Sequence, residues 1–233
     1  MPFVNASIRS PLRAIPADRL CVFLGLTLLL GGCSKPPPPV SRTAIHTAAM
    51  TGDMAGVEGA LAAGIAVDAL GRSDATPLHH AVWGNQVAVV RFLVAHGAKV
   101  GALDSSDRTP LHYAAQNGFV ETTTALLDLG ADPNVRNAYG YSPLISAAME
   151  GRVEVIELLI ARGADVNQCD LAAKSPLHFA LKQMQPAAAR ALVEAGADVN
   201  AVDREGRRPL TEARSRGVDA ATLDYLVGKG AHD

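Results

Sequence analysis

The sequence predicts an all-α solenoid of six stacked helix–turn–helix repeats. Three observations point there. The tetrapeptide TPLH stands at Thr76–His79 and again at Thr109–His112, and variants of it begin at Thr43 (TAIH), Ser142 (SPLI), Ser175 (SPLH) and Arg208 (RPLT), so each start follows the last by 33 residues. A glycine comes 21 residues after each of the first five starts, at Gly64, Gly97, Gly130, Gly163 and Gly196, and one place later, at Gly230, in the sixth. Within each copy the apolar residues recur at helical spacing, as Val153, Ile156, Leu159 and Ile160 do in VEVIELLIARG. A period held five times means units that bury their hydrophobic faces against one another.

Before the first copy, residues 1–32 have a different character. Arg9, Arg13 and Arg19 precede the apolar block LCVFLGLTLLL at Leu20–Leu30, which is short for a membrane span. A basic region followed by a short apolar one reads as a secretory signal. It ends in LGGC, Leu30 to Cys33. That motif resembles the lipobox of bacterial lipoproteins, and an ordinary signal peptide or a single anchor helix is the plainer reading. The resemblance implies that Cys33 becomes the N-terminus and carries thioether-linked diacylglycerol and an N-acyl chain. It also implies the outer membrane, periplasm-facing, because Ser34 stands where an Asp would retain a proteobacterial lipoprotein in the inner membrane. Two or more acyl chains anchor stably where one does not. Residues 33–40 then form the tether: Pro36 to Pro39 favour extended polyproline II, a semi-rigid spacer.

Without residues 1–32, which hold three Arg and one Asp, the chain keeps 201 residues, 18 basic and 22 acidic, for a formal charge of −4. No basic stripe points to nucleic acid. Cys169 is then the one cysteine besides Cys33, so no disulfide forms within the chain, and its place in a polar connecting segment makes it a bystander rather than a nucleophile.

Residues 41–233 hold the copies, at about 41–70, 71–103, 104–136, 137–169, 170–202 and 203–233. In each, Thr or Ser caps a helix start by accepting from an orphan backbone N–H. Pro follows at the first helical position, where it has no donor to lose. A short inner helix such as LHYAAQNG carries small alanines for close packing and ends at Gly52, Gly118, Gly151 or Gly217. An amphipathic outer helix follows, a glycine closes it, and an Asp/Asn-rich segment turns as a β-turn finger to the next copy. The first copy lacks the Pro (Ala44), and the last is crowded with charge from Arg204 to Arg216. The fifth has Met184 in place of the inter-helix glycine, followed by Pro186, which predicts a local distortion.

This pattern, with GADPN at Gly130 and GADVN at Gly163 and Gly196, resembles the ankyrin repeat over the whole of residues 41–233. The resemblance implies that His46, His79, His112 and His178, which share one repeat position, bond neighbouring loops. Geometry excludes a shared metal there: stacked helices lie on the order of 10 Å apart, against roughly 2 Å for a zinc–ligand bond. His80 has no partner at ligand spacing. No glycine-rich phosphate loop, G-x-S-x-G or fixed carboxylate pair is present, so neither an enzyme nor a cofactor is expected.

Binding is what the resemblance implies instead, through a concave face of finger tips and inner helices. Its exposed positions are four, three and one before each capping residue and seven and eight after it. They give Arg72, Ser73, Ala75 and Trp83; Ser105, Ser106, Arg108, Gln116 and Asn117; Ala138, Tyr139, Tyr141, Met149 and Glu150; and Leu171, Lys174, Lys182 and Gln183. Aromatics, Arg and Met are enriched at interface hot spots. The strongest candidates are Trp83, Arg108, Gln116, Asn117, Tyr139, Tyr141, Met149, Glu150 and Lys174; chance exposure, or packing of Trp83 under the next finger, is the plainer reading. The expected partner is a periplasmic or envelope protein bound by a monomeric, lipid-anchored scaffold or chaperone-like factor. The alternative is an immunity protein that neutralises a toxin delivered to the periplasm.

Overall fold

A computed structural model describes residues 43–233. The expected signal, the lipid site at Cys33 and the proline tether lie outside the described residues.

Twelve α-helices and no strand occur among the described residues. They alternate as inner and outer members of six pairs: α1 (Ala44–Thr51) and α2 (Met54–Ala62), α3 (Pro77–Trp83) and α4 (Val87–Ala95), α5 (Pro110–Asn117) and α6 (Val120–Asp128), α7 (Pro143–Met149) and α8 (Val153–Ala161), α9 (Pro176–Lys182) and α10 (Pro186–Glu194), α11 (Pro209–Arg216) and α12 (Ala220–Gly228). The inner helices contact one another in chain order from α1 to α11, and the outer helices do so from α4 to α10. One core therefore runs through the stack. Leu78, Leu111, Leu144 and Leu177, the same residue of four copies, are all fully buried in it.

Register explains the regularity. Ala81, Ala114, Ala147, Ala180 and Ala213 are completely buried on successive inner helices, where any larger side chain would hold the backbones apart. In the outer helix α8 the apolar stripe is rotated from the expected one. Val155, Ile156 and Leu159 are buried, while Val153 and Ile160 are only half-buried, Ile160 packing against the edge of the core.

The turn between inner and outer helices needs a left-handed residue nine places after the capping position. Gly52, Gly118, Gly151 and Gly217 supply it with φ of 68–79°, and Asn85 does so at 52°. The distortion expected in the fifth copy does not occur. Met184 adopts φ 56°, and the turn keeps its bonds, Met184 N–H to Leu181 O at 3.1 Å and Gln185 N–H to Ala180 O at 2.8 Å, as Asn85 and Gln86 do in the second copy. Cooperative packing on both sides outweighs the roughly 1–2 kcal/mol that a side chain costs in this region, and Pro186 takes the first position of α10.

Candidate functional site

The fingers of copies three to six are each built around one carboxylate or amide five residues before the capping position, where the second copy has Gly71. The Oδ1 of Asp104 accepts from the backbone N–H of Ser106 (2.8 Å) and Arg108 (2.9 Å). Asn137 does the same for Tyr139 and Tyr141, Asp170 for Ala172 and Lys174, and Asp203 for Glu205 and Arg207. Two donors on one oxygen close the turn, with a left-handed residue at its tip: Asp107, Gly140, Ala173 and Gly206. Adjacent fingers are linked by backbone bonds, Ser105 N–H to Ser73 O at 2.9 Å, Ala138 to Ser106 at 3.1 Å and Arg204 to Ala172 at 2.9 Å.

The repeated histidines fasten this layer to the helices. In copies two, three and five His79, His112 and His178 complete a capping box with Thr76, Thr109 and Ser175. The backbone N–H of Thr109 donates to His112 Nδ1 at 3.1 Å, so the ring proton sits on Nε2 and is donated to Tyr141 O at 2.9 Å. His79 and His178 reach Arg108 O and Arg207 O in the same way, and His46 reaches Ala69 O at 2.8 Å. One imidazole thus ties a cap in one copy to a finger in the next. Burial, the largest influence, drives His112 from the usual 6.5 down to about 4, against the opposing effect of its bond to Tyr141 O. His79 and His178 are likewise lowered by burial. Among the described residues no group of three or more His, Cys, Asp or Glu is placed to hold a metal ion.

This network carries a pH prediction. A histidine whose folded pKa is depressed binds fewer protons folded than unfolded between about pH 4 and 6.5, so its contribution is intact at neutral pH and lost on acidification through that window. Proton uptake linked to His112 alone is expected to remove about 3 kcal/mol between neutral pH and pH 4. Urea titrations at pH 7, 5.5 and 4 check this, and a flat profile would contradict the neutral bridging role.

On the layer so fixed lies a row of rings and cations. His80 meets His46 edge-on (centroids 5.0 Å apart) and Trp83 at a tilt (4.6 Å). Trp83 meets Tyr113 edge-on at 5.2 Å, and the Arg108 guanidinium lies 5.3 Å above Tyr113. Further along, Tyr139 and Tyr141 pair at 5.8 Å, Tyr141 meets Phe179 at 5.1 Å, and Lys182 Nζ lies 6.0 Å over Phe179. Edge-to-face and cation–π contacts of this kind each contribute roughly 0.5–1.5 kcal/mol beyond area burial. The segments meet at Arg108, Gln116, Tyr141 and Met149, which line a cleft of about 30 Å³. That is far below the roughly 300 Å³ of a small-molecule site.

The sequence-predicted residues divide accordingly. Tyr139, Asn117 and Glu150 are exposed, while Trp83, Arg108, Gln116, Tyr141 and Met149 are half-buried in the row. Arg108 also donates to Gln116 Oε1 at 3.2 Å. Ala75, expected on the face, is fully buried. Lys174 is committed internally: its ammonium lies 3.8 Å from Asp203 and 3.9 Å from Glu205 of the next finger. Sequence reasoning missed His80, Tyr113 and Phe179, which share the position four after the capping residue; that shared register was the available signal. Cys169 is half-buried, donates to Asn167 O at 3.3 Å, and has its thiol pKa raised, chiefly by burial and then by Asp170, so it is a poor nucleophile at neutral pH.

Comparison with known proteins agrees with this geometry. A family model described as ankyrin repeats in three copies matches residues 23–104 and 99–170, and a single-repeat model matches residues 174–204. No curated protein matches significantly. Many solved structures do, among them the crystal structure of an ankyrin repeat domain from Acinetobacter baumannii AYE, 30% identical, with a TM-score of 0.73, covering 82% of this chain and 100% of that one.

Proposed function

Because the chain belongs to the ankyrin-repeat family, we propose that it is a binding module of the bacterial envelope, tethered by lipid at Cys33 and holding a periplasmic or envelope protein against the finger and inner-helix face as a scaffold or chaperone-like factor. Ankyrin repeats generally mediate binding to protein partners, and they are generally non-enzymatic. The observation that carries the reading is the row from His80 through Trp83, Tyr113 and Arg108 to Tyr141 and Phe179, which spans four copies. Its side chains are held in place by ring contacts and by the histidine-fixed fingers beneath, so they lose little entropy when a partner covers them.

The tether rests on sequence. The basic segment, the apolar block and LGGC support lipidation of Cys33, Ser34 supports the outer membrane, and Pro36 to Pro39 support a spacer that keeps the face clear of lipid. No helix among the described residues is long and apolar enough to cross a membrane. Confinement of the module to the membrane raises the local concentration of a partner found there. Replacing Cys33 with Ser is expected to abolish labelling by a clickable fatty acid and to release the chain from the membrane fraction. Equal labelling of both forms would overturn the anchor and leave the binding face to be judged separately.

A further inference from the structure

We propose that the binding face is electrically polar, and that it takes an extended peptide segment with apolar or aromatic residues over copies two to four and acidic residues over copies five and six. This rests on the reading of that face as a protein-binding surface. The polarity comes from which charges are already neutralised within the molecule.

In copies two to four the face is mixed. Arg72 and Arg108 are accompanied by Asp74, Asp107 and Glu150, none of which has an ion-pair partner among the described residues. The rings dominate there. In copies five and six every carboxylate near the face is satisfied from inside. Asp170 takes the backbone N–H of Ala172 and Lys174. Asp203 takes Arg207 at 3.2 Å and Lys174, Glu205 takes Arg207 at 2.8 Å, and the buried Glu212 takes Arg216 at 3.1 Å. What remains is positive. Lys182 and Arg204 have no acidic partner among the described residues, and neither has Arg208, whose Nε is buried without an acceptor.

Lys182 adjoins the ring row, since it sits over Phe179, and Arg204 stands on the last finger, whose backbone bonds to Ala172 of the finger before. One occupant can therefore satisfy both halves: rings against rings, then carboxylates against Lys182 and Arg204. Desolvating unmatched cations under a neutral or basic partner would be costly, which sets both the charge and the direction of the segment. An anionic membrane or a nucleic acid fits less well. Residues 43–233 hold 16 Lys and Arg against 22 Asp and Glu, so the array as a whole repels an anionic surface while this one end attracts a carboxylate-bearing strand.

The test uses the full chain in detergent micelles and a phage-displayed library of random 12-residue peptides, followed by fluorescence anisotropy on the enriched peptides. Enrichment should favour sequences that combine an aromatic or aliphatic cluster with two or more Asp or Glu. The double reversal Lys182→Glu with Arg204→Glu should weaken them at least tenfold at low salt and flatten the salt dependence. Lys182→Gln with Arg204→Gln, which neutralises without reversing, should give an intermediate loss, and circular dichroism reports whether either variant stays folded. Peptides that bind, compete at Tyr139 and carry no acidic bias would overturn the polarity and leave the binding face standing. Basic peptides would overturn it as well, and so would binding of vesicles with 30% phosphatidylglycerol in place of any peptide. No enrichment at all would overturn both readings.

Discussion

Replacing His112 with alanine will lower the unfolding free energy by about 3 kcal/mol, near the upper end of what a single polar substitution costs. His112 is 1% exposed and joins two copies: it accepts from the Thr109 N–H and donates to Tyr141 O. Alanine leaves the buried Thr109 N–H without its acceptor and takes from Tyr141 O one of its two donors, the other being the Asn137 N–H at 3.0 Å, and it empties a ring-sized space beside Leu111 and Ala114. The effect should also be visible in the shape of the transition. Copies interact with their neighbours alone, so a weakened joint between the third and fourth lets the two halves of the stack melt separately. Urea unfolding followed by circular dichroism should show a broader transition with a lower midpoint. The variant should also lose the part of the acid sensitivity that His112 contributes. Tight, stoichiometric zinc binding that disappears in the same variant would show that the residue serves a metal instead.

Truncating Trp83 and Tyr141 together to alanine will abolish partner capture, with a loss of 2 kcal/mol or more, about thirtyfold or greater. Both occupy the row at points where neighbouring copies meet. Register alone places them outside the core and predicts an almost unchanged melting temperature. Their ring contacts change that expectation: Trp83 leans on His80 and Tyr113, and Tyr141 on Tyr139 and Phe179, so truncation will also lower the melting temperature. Two companions separate the effects. Trp83→Phe with Tyr141→Phe keeps rings in both places and should retain most of the stability. Tyr139→Ala removes a ring that is 59% exposed and should weaken capture while barely moving the melting curve. A folded double-alanine variant that still captures its partner would move the interface elsewhere, with the charged last copy the first place to look.

The stack was legible because its determinants are local and repeated. A capping Thr or Ser, Pro after it, alanines inside and a glycine closing each outer helix each answer to a rule of one residue and its neighbours, and the period multiplies the signal. The fifth-copy turn was misjudged for the complementary reason. A local rule forbids Met184 its left-handed φ, and the packing of flanking helices overrides the rule. The face was legible by position but not by commitment. Lys174 and Ala75 occupy the right register, yet the first is consumed by Asp203 and Glu205 and the second is fully buried. Tyr113 escaped notice because its meaning depends on partners brought to it from the finger and the preceding inner helix: its hydroxyl donates to Asp104 at 2.6 Å, its ring meets Trp83, and Arg108 covers it. A sequence shows which side chains share a row, and only the assembled stack shows which of them are already spoken for.

The central claim is that the finger and inner-helix face, and not the outer helices, holds a protein partner. Photo-crosslinking in cells tests it most directly. A photoreactive amino acid is placed at Tyr139 on a finger or at Glu157 on the exposed side of α8, and adducts are resolved by mass. A discrete adduct with one protein from position 139, absent from position 157 and lost in the Trp83 and Tyr141 double variant, is the predicted result. An adduct from position 157 alone, or the same adduct from both positions, would contradict the account.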